Sequence, residues 1–564
     1  MTRDSEMGLL VLALAVGAGA GLGAVAFRWL VVSFTRVFSG HEDYADAGRA
    51  AHPWFPGLGM WFVLLAPVVA GLVYGPLVHA FAREARGHGV PEVMDAVARR
   101  GGRIRPQVAV VKALASALCI GGGGSVGREG PIVQIGSALG SSIGRVVRAE
   151  EDRTRILVAC GAAGGIAATF NAPLAGVFFA MELILADFAA RSFGMVVLSS
   201  VTASVIGRAA LGDEPFLRLP AFTVTHPAEY LLFALLGLLA GLVGVTFTRF
   251  LYLVEDGCDR AWRGPEWLRP AVGGLLLGAV LLVLPQMYGV GYPVLGNGVA
   301  GAYTVGFLIV LLLGKMVATS LTIGIGGSGG VFAPSLFIGA MLGAAYGQTA
   351  GALLPGVVGA VGAYGLIGMG AVFAGAARAP ITAVVIMFEL TGEYTIILPL
   401  MAAIVLATGV SHLISQDSVY TLKLRRRGVD LGGHPNARRL AAVTVADAMT
   451  PARRRVRAGD PLVDVLPDLA VFERLAVVDE QNRYLGVGTA RAVTEALADR
   501  NHDTILVRDL VERVPPVGAT QSIAEALDVL DRTEASEVPA LDVDGRVVGW
   551  LTHRQVVGRL RLVA

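Results

Sequence analysis

A short glycine-rich segment, Gly127-Arg128-Glu129-Gly130-Pro131, places a cation and an anion side by side in an otherwise apolar stretch. A charged side chain at the centre of a bilayer costs about 2.5–3.5 kcal/mol or more, so such residues usually serve a function. Pro131 is typical of a first helical turn, where its missing N–H costs nothing. Because backbone N–H groups at a helix start attract anions, the segment predicts an anion site that contains its own carboxylate, Glu129.

Two further breaks pair flexible backbone with a proline that starts a helix: Gly87-His88-Gly89-Val90-Pro91 and Gly329-Gly330-Val331-Phe332-Ala333-Pro334. If two of these helix starts face each other, their positive ends stabilise an anion without a full positive charge nearby, which permits fast release. The alternative is ordinary helix breaks whose backbone groups are satisfied by neighbouring elements. Three breaks, one of them carrying a carboxylate, favour the anion site.

The rest of the composition is that of an integral membrane protein. Of 564 residues, 54% are hydrophobic and only 16% are charged, whereas soluble domains are about a quarter charged. Apolar runs recur from Met7 to Ala407, many near the roughly 20 residues that a spanning helix needs. The run from Gly8 to Phe34 is too long for the core of a signal peptide, so we expect a retained helix. Three cysteines predict neither a disulfide framework nor a metal site, and no basic aromatic patch suggests nucleic acid.

The apolar region contains an internal repeat. Pro131 is followed by glycines at offsets of 5, 9 and 13, and Pro334 is followed by glycines at the same three offsets. Further on, three residues of the first half match three of the second at equal spacing: Gly161, Pro173 and Glu182 with Gly368, Pro380 and Glu389. Transporters often use such repeats in inverted orientation, with broken helices meeting at a midplane site. We therefore expect an all-α polytopic domain of two inverted repeats.

The composition changes near Leu424. A basic cluster, Arg425-Arg426-Arg427, follows the last apolar segment and predicts that this end is cytoplasmic. We expect a membrane domain over residues 1–427, a linker over 428–442 and a soluble tail over 443–564. The tail repeats a helix followed by a β-rich turn, which predicts two α/β units at about 443–500 and 505–564.

The three breaks, together with Phe170-Asn171-Ala172-Pro173 and Tyr420, resemble the CLC family of chloride channels and chloride/proton exchangers. The resemblance covers roughly residues 7–427, and the tail resembles a tandem pair of cytoplasmic CBS domains. It implies a homodimer in the plasma membrane with one anion pathway per subunit. It also implies an anion transporter rather than an enzyme, with chloride or a similar small anion as the bound ligand.

The resemblance implies roles for individual residues. Glu129 would be the gate: when ionised it occupies an anion site, and when protonated it moves away and admits an anion. Backbone N–H groups around Gly130, Val331 and Phe332 would line the sites, and the Tyr420 hydroxyl would donate to the central ion. Arg128 is expected to shape the potential of the entrance rather than to touch that ion.

Two residues near the predicted site, His88 and Lys112, each have two possible roles. His88 stands where the family usually has a serine that contacts the central anion. Its imidazole either donates to the anion, more strongly when protonated, or points away and leaves only a backbone N–H, so the anion preference stays open. Lys112 matches a lysine position of the family and either adds positive potential to the pathway or pairs with a carboxylate.

The proton partner of the family's exchangers is missing here. They commonly carry a second glutamate directly after the position of Glu182, and this chain has Leu183 there. An apolar residue at this place favours passive, channel-like conduction. The alternative is exchange with protons entering by another route, such as Glu182 or His88; Glu182 also has a structural interpretation, because Glu389 occupies the same place in the second half.

The tail offers a further hypothesis of a different class, in which the CBS pair binds an adenine nucleotide and regulates transport. Binding copies usually place an acidic residue three positions after a Thr or Ser to hold the ribose. Here Gln555 follows Thr552, and Ala492 follows Thr489, at that spacing. The ribose contact is weakened in both units, which favours a structural or dimer-stabilising role over nucleotide sensing.

Overall fold

A computed structural model describes residues 6–212, 226–392 and 394–429, and in the tail residues 443–452, 455–471, 474–498, 505–533 and 535–563. The chain divides into two compact units, Met1–Val429 and Asp430–Ala564. The first consists of helices and short irregular segments, and the second is a small α/β unit. Both units agree with the predicted fold class.

The helices of the first unit vary widely in length. They are α1 (Glu6–Ser39), α2 (Phe62–Phe81), α3 (Val90–Arg99), α4 (Gln107–Gly121), α5 (Glu129–Val146), α6 (Glu151–Phe170), α7 (Pro173–Phe179), α8 (Ala190–Leu211), α9 (Glu229–Ala261), α10 (Arg269–Val283), α11 (Tyr292–Val299), α12 (Val305–Gly324), α13 (Phe332–Leu353), α14 (Val361–Ala377), α15 (Pro380–Thr391), α16 (Ile397–Ile414) and α17 (Thr421–Arg426). A π-helical turn, Ala180–Leu185, continues α7.

Within the described residues, seven helices are long and apolar enough to cross a membrane. Others, including α3 and α11, have only 10 and 8 residues and are too short to do so. Irregular backbone at membrane depth is tolerated only where protein or a water-filled cavity surrounds it. The short helices therefore place their ends inside the protein, where the predicted breaks lie.

Repeated glycines explain the closest helix pairs. A Cβ added at Gly136 of α5 would overlap the carbonyl oxygen of Gly161 in α6, and one at Gly339 of α13 would overlap that of Gly368 in α14. Small residues let the backbones of membrane helices approach closely. The equal glycine offsets in the sequence thus correspond to equivalent helix contacts, between α5 and α6 in the first half and between α13 and α14 in the second.

The two halves meet around a local two-fold relation. Gly127 and Gly330 each precede their half's proline, Pro131 or Pro334, by four positions. The N–H of each glycine donates to the carbonyl oxygen of the other at 2.7 Å, and the two residues form an antiparallel bridge. Equivalent residues that exchange identical hydrogen bonds are related by a two-fold axis, as an inverted repeat requires.

The tail forms two four-stranded sheets of the same topology, ordered β1-β8-β7-β6 and β2-β3-β4-β5. Its strands are β1 (Thr450–Pro451), β2 (Arg455–Arg457), β3 (Arg474–Val478), β4 (Tyr484–Thr489), β5 (Val511–Glu512), β6 (Val517–Gly518), β7 (Glu537–Leu541) and β8 (Val547–Thr552), and its helices are α18 (Val445–Ala448), α19 (Leu462–Val471), α20 (Ala490–Ala498), α21 (Ile523–Thr533) and α22 (His553–Val563). β1 pairs with β8 and β5 with β4, so each sequence repeat lends an edge strand to the other. Trp550 packs with Val487 and Val547 between the sheets.

Candidate anion site between the helix breaks

The three predicted breaks lie side by side. The Gly127–Gly330 bridge joins the second break to the third. The first break joins them through Gly87, whose N–H donates to the Gly327 carbonyl at 3.0 Å and whose carbonyl accepts from the N–H of Gly329 at 3.2 Å. Backbone hydrogen bonds therefore join the starts of α3, α5 and α13 to one another.

At none of these three helix starts does the N-cap residue, Gly89, Arg128 or Val331, cap its own helix with its side chain. The first N–H groups of a helix have no partner within the helix and need a cap, water or a ligand. Pro91, Pro131 and Pro334 stand in the first turns, where they fix the helical φ angle and remove one donor each. The arrangement brings three positive helix ends close together, which suits a small anion.

The Glu129 side chain reaches from α5 to the second half. The residue is 1% exposed. One oxygen, Oε1, accepts from the Tyr292 hydroxyl at 2.7 Å, and the other, Oε2, accepts from the N–H of Ala333 in the first turn of α13 at 3.4 Å. A Cβ at Gly127 would overlap Oε2, so the glycine makes room for the carboxylate. Glu129 thus lies at the start of the opposite helix, where the sequence predicts an anion site.

Arg128 is directed at aromatic rings beside Glu129. Its guanidinium lies over the Tyr292 ring at 5.1 Å and over the Phe170 ring at 5.8 Å from their centroids. A cation over an aromatic face is stabilised by the ring quadrupole. This placement fits the predicted role in the electrostatic potential of the entrance.

His88 is fully buried, and neither of its ring nitrogens has a hydrogen-bond partner within the described protein. The ring stacks on Tyr252 with centroids 6.2 Å apart. A buried imidazole normally has a partner, so two unmatched nitrogens favour a ligand or water here. The two alternatives for His88 otherwise stay predictions.

The remaining predicted ligands are buried near the breaks. Val331 and Phe332 are 1% and 2% exposed, and the Phe332 ring packs on Phe373 at 4.4 Å. Tyr420 is 1% exposed and interacts electrostatically with Glu129. Gly130 packs so closely that a Cβ would overlap the carbonyl oxygen of His88. The geometry is compatible with the predicted ligands, whose contacts with an ion remain predictions.

Lys112 has a role that neither sequence alternative described. Its ammonium donates to the carbonyl oxygens of Ala85 and Gly87 at 2.9 and 2.8 Å, which fastens the first break. A second buried lysine, Lys315 of α12, donates to Ser125 Oγ at 2.9 Å and to the Val290 carbonyl at 2.8 Å.

Lys315 was not predicted, although the sequence contains a signal for it. Lys112 precedes Pro131 by 19 positions, and Lys315 precedes Pro334 by the same 19. Tyr252 was also overlooked; its hydroxyl donates to the Val419 carbonyl at 2.6 Å, next to Tyr420. No local pattern marks Tyr252, since it lies in the long apolar helix α9.

Glu182 caps a helix of the other half. Its oxygens accept from the N–H groups of Ile381 and Thr382 at 3.1 and 2.8 Å and from the Thr382 hydroxyl at 2.7 Å. In return, Glu389 accepts from the N–H groups of Leu174 and Ala175 at 2.9 and 2.7 Å. Both pairs of N–H donors begin one residue after the helix-starting proline, Pro380 or Pro173, so the two glutamates exchange equivalent caps.

This exchange gives Glu182 a structural task and leaves its predicted part in a proton route without direct support. Leu183, on the same π-helical turn, is 8% exposed and carries no titratable group.

Thr552 and Gln555 in the tail bond to each other. The Thr552 N–H donates to Gln555 Oε1 at 2.8 Å, and the Gln555 N–H donates to Thr552 Oγ1 at 3.3 Å. Thr489 Oγ1 likewise accepts from the Ala492 N–H at 3.2 Å. Both threonines thus serve as helix caps, and nucleotide binding at Thr552 stays a prediction. No group of three or more metal-ligating side chains occurs among the described residues.

Comparisons with known proteins agree with this geometry. A family model described as voltage gated chloride channel matches residues 70–412, and one described as CBS domain matches residues 507–562. The chain is 33% identical over 426 residues to a putative chloride channel protein, ClcB-like, of Ralstonia nicotianae, covering 75% of this chain and 98% of that protein. It is 36% identical over 382 residues to the H⁺/Cl⁻ exchange transporter ClcA of Vibrio parahaemolyticus, covering 65% and 80%.

Solved structures of CLC-type antiporters and transporters have a similar fold. The fold matches that of a slow cyanobacterial Cl⁻/H⁺ antiporter with a TM-score of 0.66 and 27% identity, over 74% of this chain and 97% of that one. It matches a eukaryotic CLC transporter with a TM-score of 0.63 and 21% identity, over 97% of each chain. The second match, which concerns the fold alone, extends over both units.

Proposed function

Because this chain belongs to the CLC family of voltage-gated chloride channels and exchangers, as its breaks predicted, we propose that it exchanges chloride for protons across the membrane. It is an integral membrane protein of the plasma membrane that transports anions, with its tail on the cytoplasmic side. Glu129 serves both ions in this proposal: its carboxylate closes the anion pathway, and its protonation opens it.

One observation carries the proposal, namely the position of the Glu129 carboxylate at the start of α13. There it accepts from the Ala333 N–H, in a position that an anion would also occupy. Ionised, it is held by the positive helix end and excludes a second anion. Protonated, it loses that attraction, and chloride can replace it. Each opening then requires a proton, which links proton binding to anion passage.

Relatives support exchange over passive conduction. The sequence favoured a passive pathway because Leu183 replaces the usual internal glutamate. The Vibrio relative, however, is named an H⁺/Cl⁻ exchange transporter, and the cyanobacterial neighbour is titled an antiporter. Exchange is therefore the first candidate, with the internal proton route unassigned.

Passive conduction is the second candidate, and a specific observation favours it. Leu183 cannot carry a proton, and both oxygens of the adjacent Glu182 accept hydrogen bonds from the start of α15. The Ralstonia relative is named a putative chloride channel protein. The two candidates differ only in whether a proton crosses the membrane with each cycle.

The anion is held by neutral donors in this proposal. Backbone N–H groups of Gly130, Val331 and Phe332 line the pathway, the Tyr420 hydroxyl donates to the central ion, and His88 offers an imidazole N–H. Weak, neutral donors bind an anion firmly enough to select it and loosely enough to release it. Chloride is the proposed ion, and His88 decides its rank against other anions.

The proposed assembly is a homodimer. Exposed apolar side chains line α8 and α16, among them Val205 and Leu398, which are 60% and 68% exposed. A second copy would cover such surfaces together with lipid. In the tail, an adenine nucleotide remains a regulatory candidate, tested by calorimetry of the tail with ATP or AMP.

The reversal potential of the purified protein in lipid tests the proposal. We expect it to shift when an opposed proton gradient is added to a chloride gradient. A reversal at the chloride equilibrium potential under all proton gradients would establish the passive candidate instead.

Glu129→Gln is the matched variant, because it keeps the side-chain size and removes the titration. We expect it to retain chloride flux, to lose proton coupling and to lose the pH dependence of flux. An unchanged pH dependence would refute the gating role of Glu129.

A further inference from the structure

A fourth helix break lies beside the gate, at Gly289-Val290-Gly291-Tyr292-Pro293. Gly289 and Gly291 have φ angles of +64° and +87°, which side chains rarely adopt. Pro293 stands in the first turn of α11, and no side chain caps this helix in the described structure. The segment thus has the same construction as the three breaks that the sequence analysis identified.

The repeat makes this segment the counterpart of the His88 break. Lys112 fastens the first break through the Gly87 carbonyl, and Lys315, at the equivalent position, donates to the carbonyls of Gly289 and Val290 at 3.2 and 2.8 Å. Gly87 and Gly289 lie 25 and 26 positions before their lysines. The two-fold relation therefore places Val290 in the second half where His88 lies in the first, and Tyr292 where Val90 lies, at the first residue of each helix.

Tyr292 contacts the gate itself. Its hydroxyl donates to Glu129 Oε1 at 2.7 Å, a shorter hydrogen bond than the 3.4 Å contact from Ala333 to Oε2. The same ring lies beneath the Arg128 guanidinium at 5.1 Å. Short hydrogen bonds to an ionised acceptor are about twice as strong as neutral ones. Tyr292 therefore holds the carboxylate more firmly than the α13 backbone does.

We propose that Tyr292 is a gate-positioning residue, whose hydroxyl fastens ionised Glu129 in its closed position and so sets the pH at which the pathway opens. The proposal rests on the gating role proposed for Glu129. When Glu129 is protonated and leaves, this hydrogen bond breaks. Opening therefore costs more than it would with an apolar ring at the same place.

Other charged groups surround the gate and also contribute to its pH response. Arg128 adjoins it on the same helix turn, and Lys315 of α12 and Tyr420 interact with Glu129 electrostatically. Asp43, in the loop after α1, interacts with Arg128 and Lys315, and burial raises the pKa of this carboxyl. Replacing only the Tyr292 hydroxyl leaves all of these groups in place.

Tyr292→Phe in the full-length protein, reconstituted in lipid vesicles, tests the proposal through chloride efflux across a pH series. The phenyl ring keeps its place beneath Arg128. The change is confined to the hydroxyl and its interactions with Glu129 and Arg128. Because the hydrogen bond to Glu129 favours the ionised gate, its removal should move the midpoint of activation to higher pH by about one unit. This equals about a tenfold change in the protonation equilibrium.

Tyr288→Phe is the matched control. This tyrosine lies four positions earlier, is buried and donates to the Gly121 carbonyl at 2.6 Å rather than to the gate. We expect its midpoint to match that of the native protein. A midpoint in Tyr292→Phe that matches the native one, or an equal shift in Tyr288→Phe, would overturn the positioning role.

A double variant separates this proposal from the gate itself. If Tyr292 acts through the carboxylate, Tyr292→Phe should change nothing further once Glu129→Gln is present. An equal effect in both backgrounds would overturn the proposal. If Glu129→Gln keeps the native pH profile, the gate fails and the positioning role fails with it; if only Tyr292→Phe keeps that profile, the positioning role alone fails.

Discussion

The exchanged caps of Glu182 and Glu389 give the most discriminating test of what Glu182 does. Glu182→Gln and Glu389→Gln are matched by the repeat, since each glutamate accepts from the two residues that follow a helix-starting proline. If Glu182 is structural, both variants should lose stability alike. If it carries protons, only Glu182→Gln should affect coupling.

The expected loss follows from the hydrogen bonds. A glutamine keeps one acceptor oxygen, which can replace Glu182 Oε2 and retain both bonds to Thr382, so the bond from Ile381 is lost. In Glu389→Gln, one of two bonds is lost. A hydrogen bond to a charged group contributes about 1.5–3 kcal/mol. Since both carboxylates are partly exposed, we expect each variant to lose about 1.5 kcal/mol, near the lower limit.

Thermal unfolding of the purified protein, followed together with the ratio of proton to chloride flux, gives both results. We expect the two variants to lower the apparent Tm by similar amounts and to keep the native flux ratio. Glu150→Gln is the control, because Glu150 is exposed and makes no side-chain cap at the start of α6. A native Tm combined with lost proton coupling in Glu182→Gln alone would refute the structural assignment.

Two further predictions concern glycines. Gly127→Ala should displace the Glu129 carboxylate and raise chloride efflux, because the new Cβ overlaps Oε2. Gly306→Ala, in open space on α12, should keep native efflux, and equal efflux in both variants would contradict the reasoning. Gly136→Ala and Gly339→Ala should each destabilise the protein by about 1–3 kcal/mol through overpacking, seen as a lower Tm. Gly194→Ala, with nothing near its Cβ, should not lower the Tm, and a similar decrease there would count against the helix-contact account.

The sequence was sufficient to predict how the broken helices come together. The prolines at 131 and 334 and their equal glycine offsets predicted two related halves, and the structure joins these halves through Gly127 and Gly330. The prediction succeeds because two helices can approach closely only where glycines recur at fixed spacing, and this spacing can be recognised in the sequence. The charged pair Arg128-Glu129 was visible for a similar reason, since charge is rare in an apolar segment.

Other parts of the site could not be predicted from the sequence. The fourth break contains no charged residue, and its proline lies 22 positions before Lys315, whereas Pro91 lies 21 before Lys112. Because the spacings differ by one residue, a search for equal offsets does not detect that the first and fourth breaks correspond. The two glutamates were recognised as equivalent, but their exchanged caps depend on which helix start lies opposite, and tertiary packing decides this.

The equivalent contacts that the two halves exchange suit an origin from a dimer of two identical chains. Reciprocal pairs such as Gly127–Gly330 and the two glutamate caps are the contacts of an isologous dimer, now joined in one chain. Such a dimer would have had two identical mouths. In the present chain the position of Glu129, two before Pro131, is occupied in the other half by Phe332, two before Pro334. The two halves therefore no longer present the same side chain at this point: one carries a carboxylate and the other an aromatic ring.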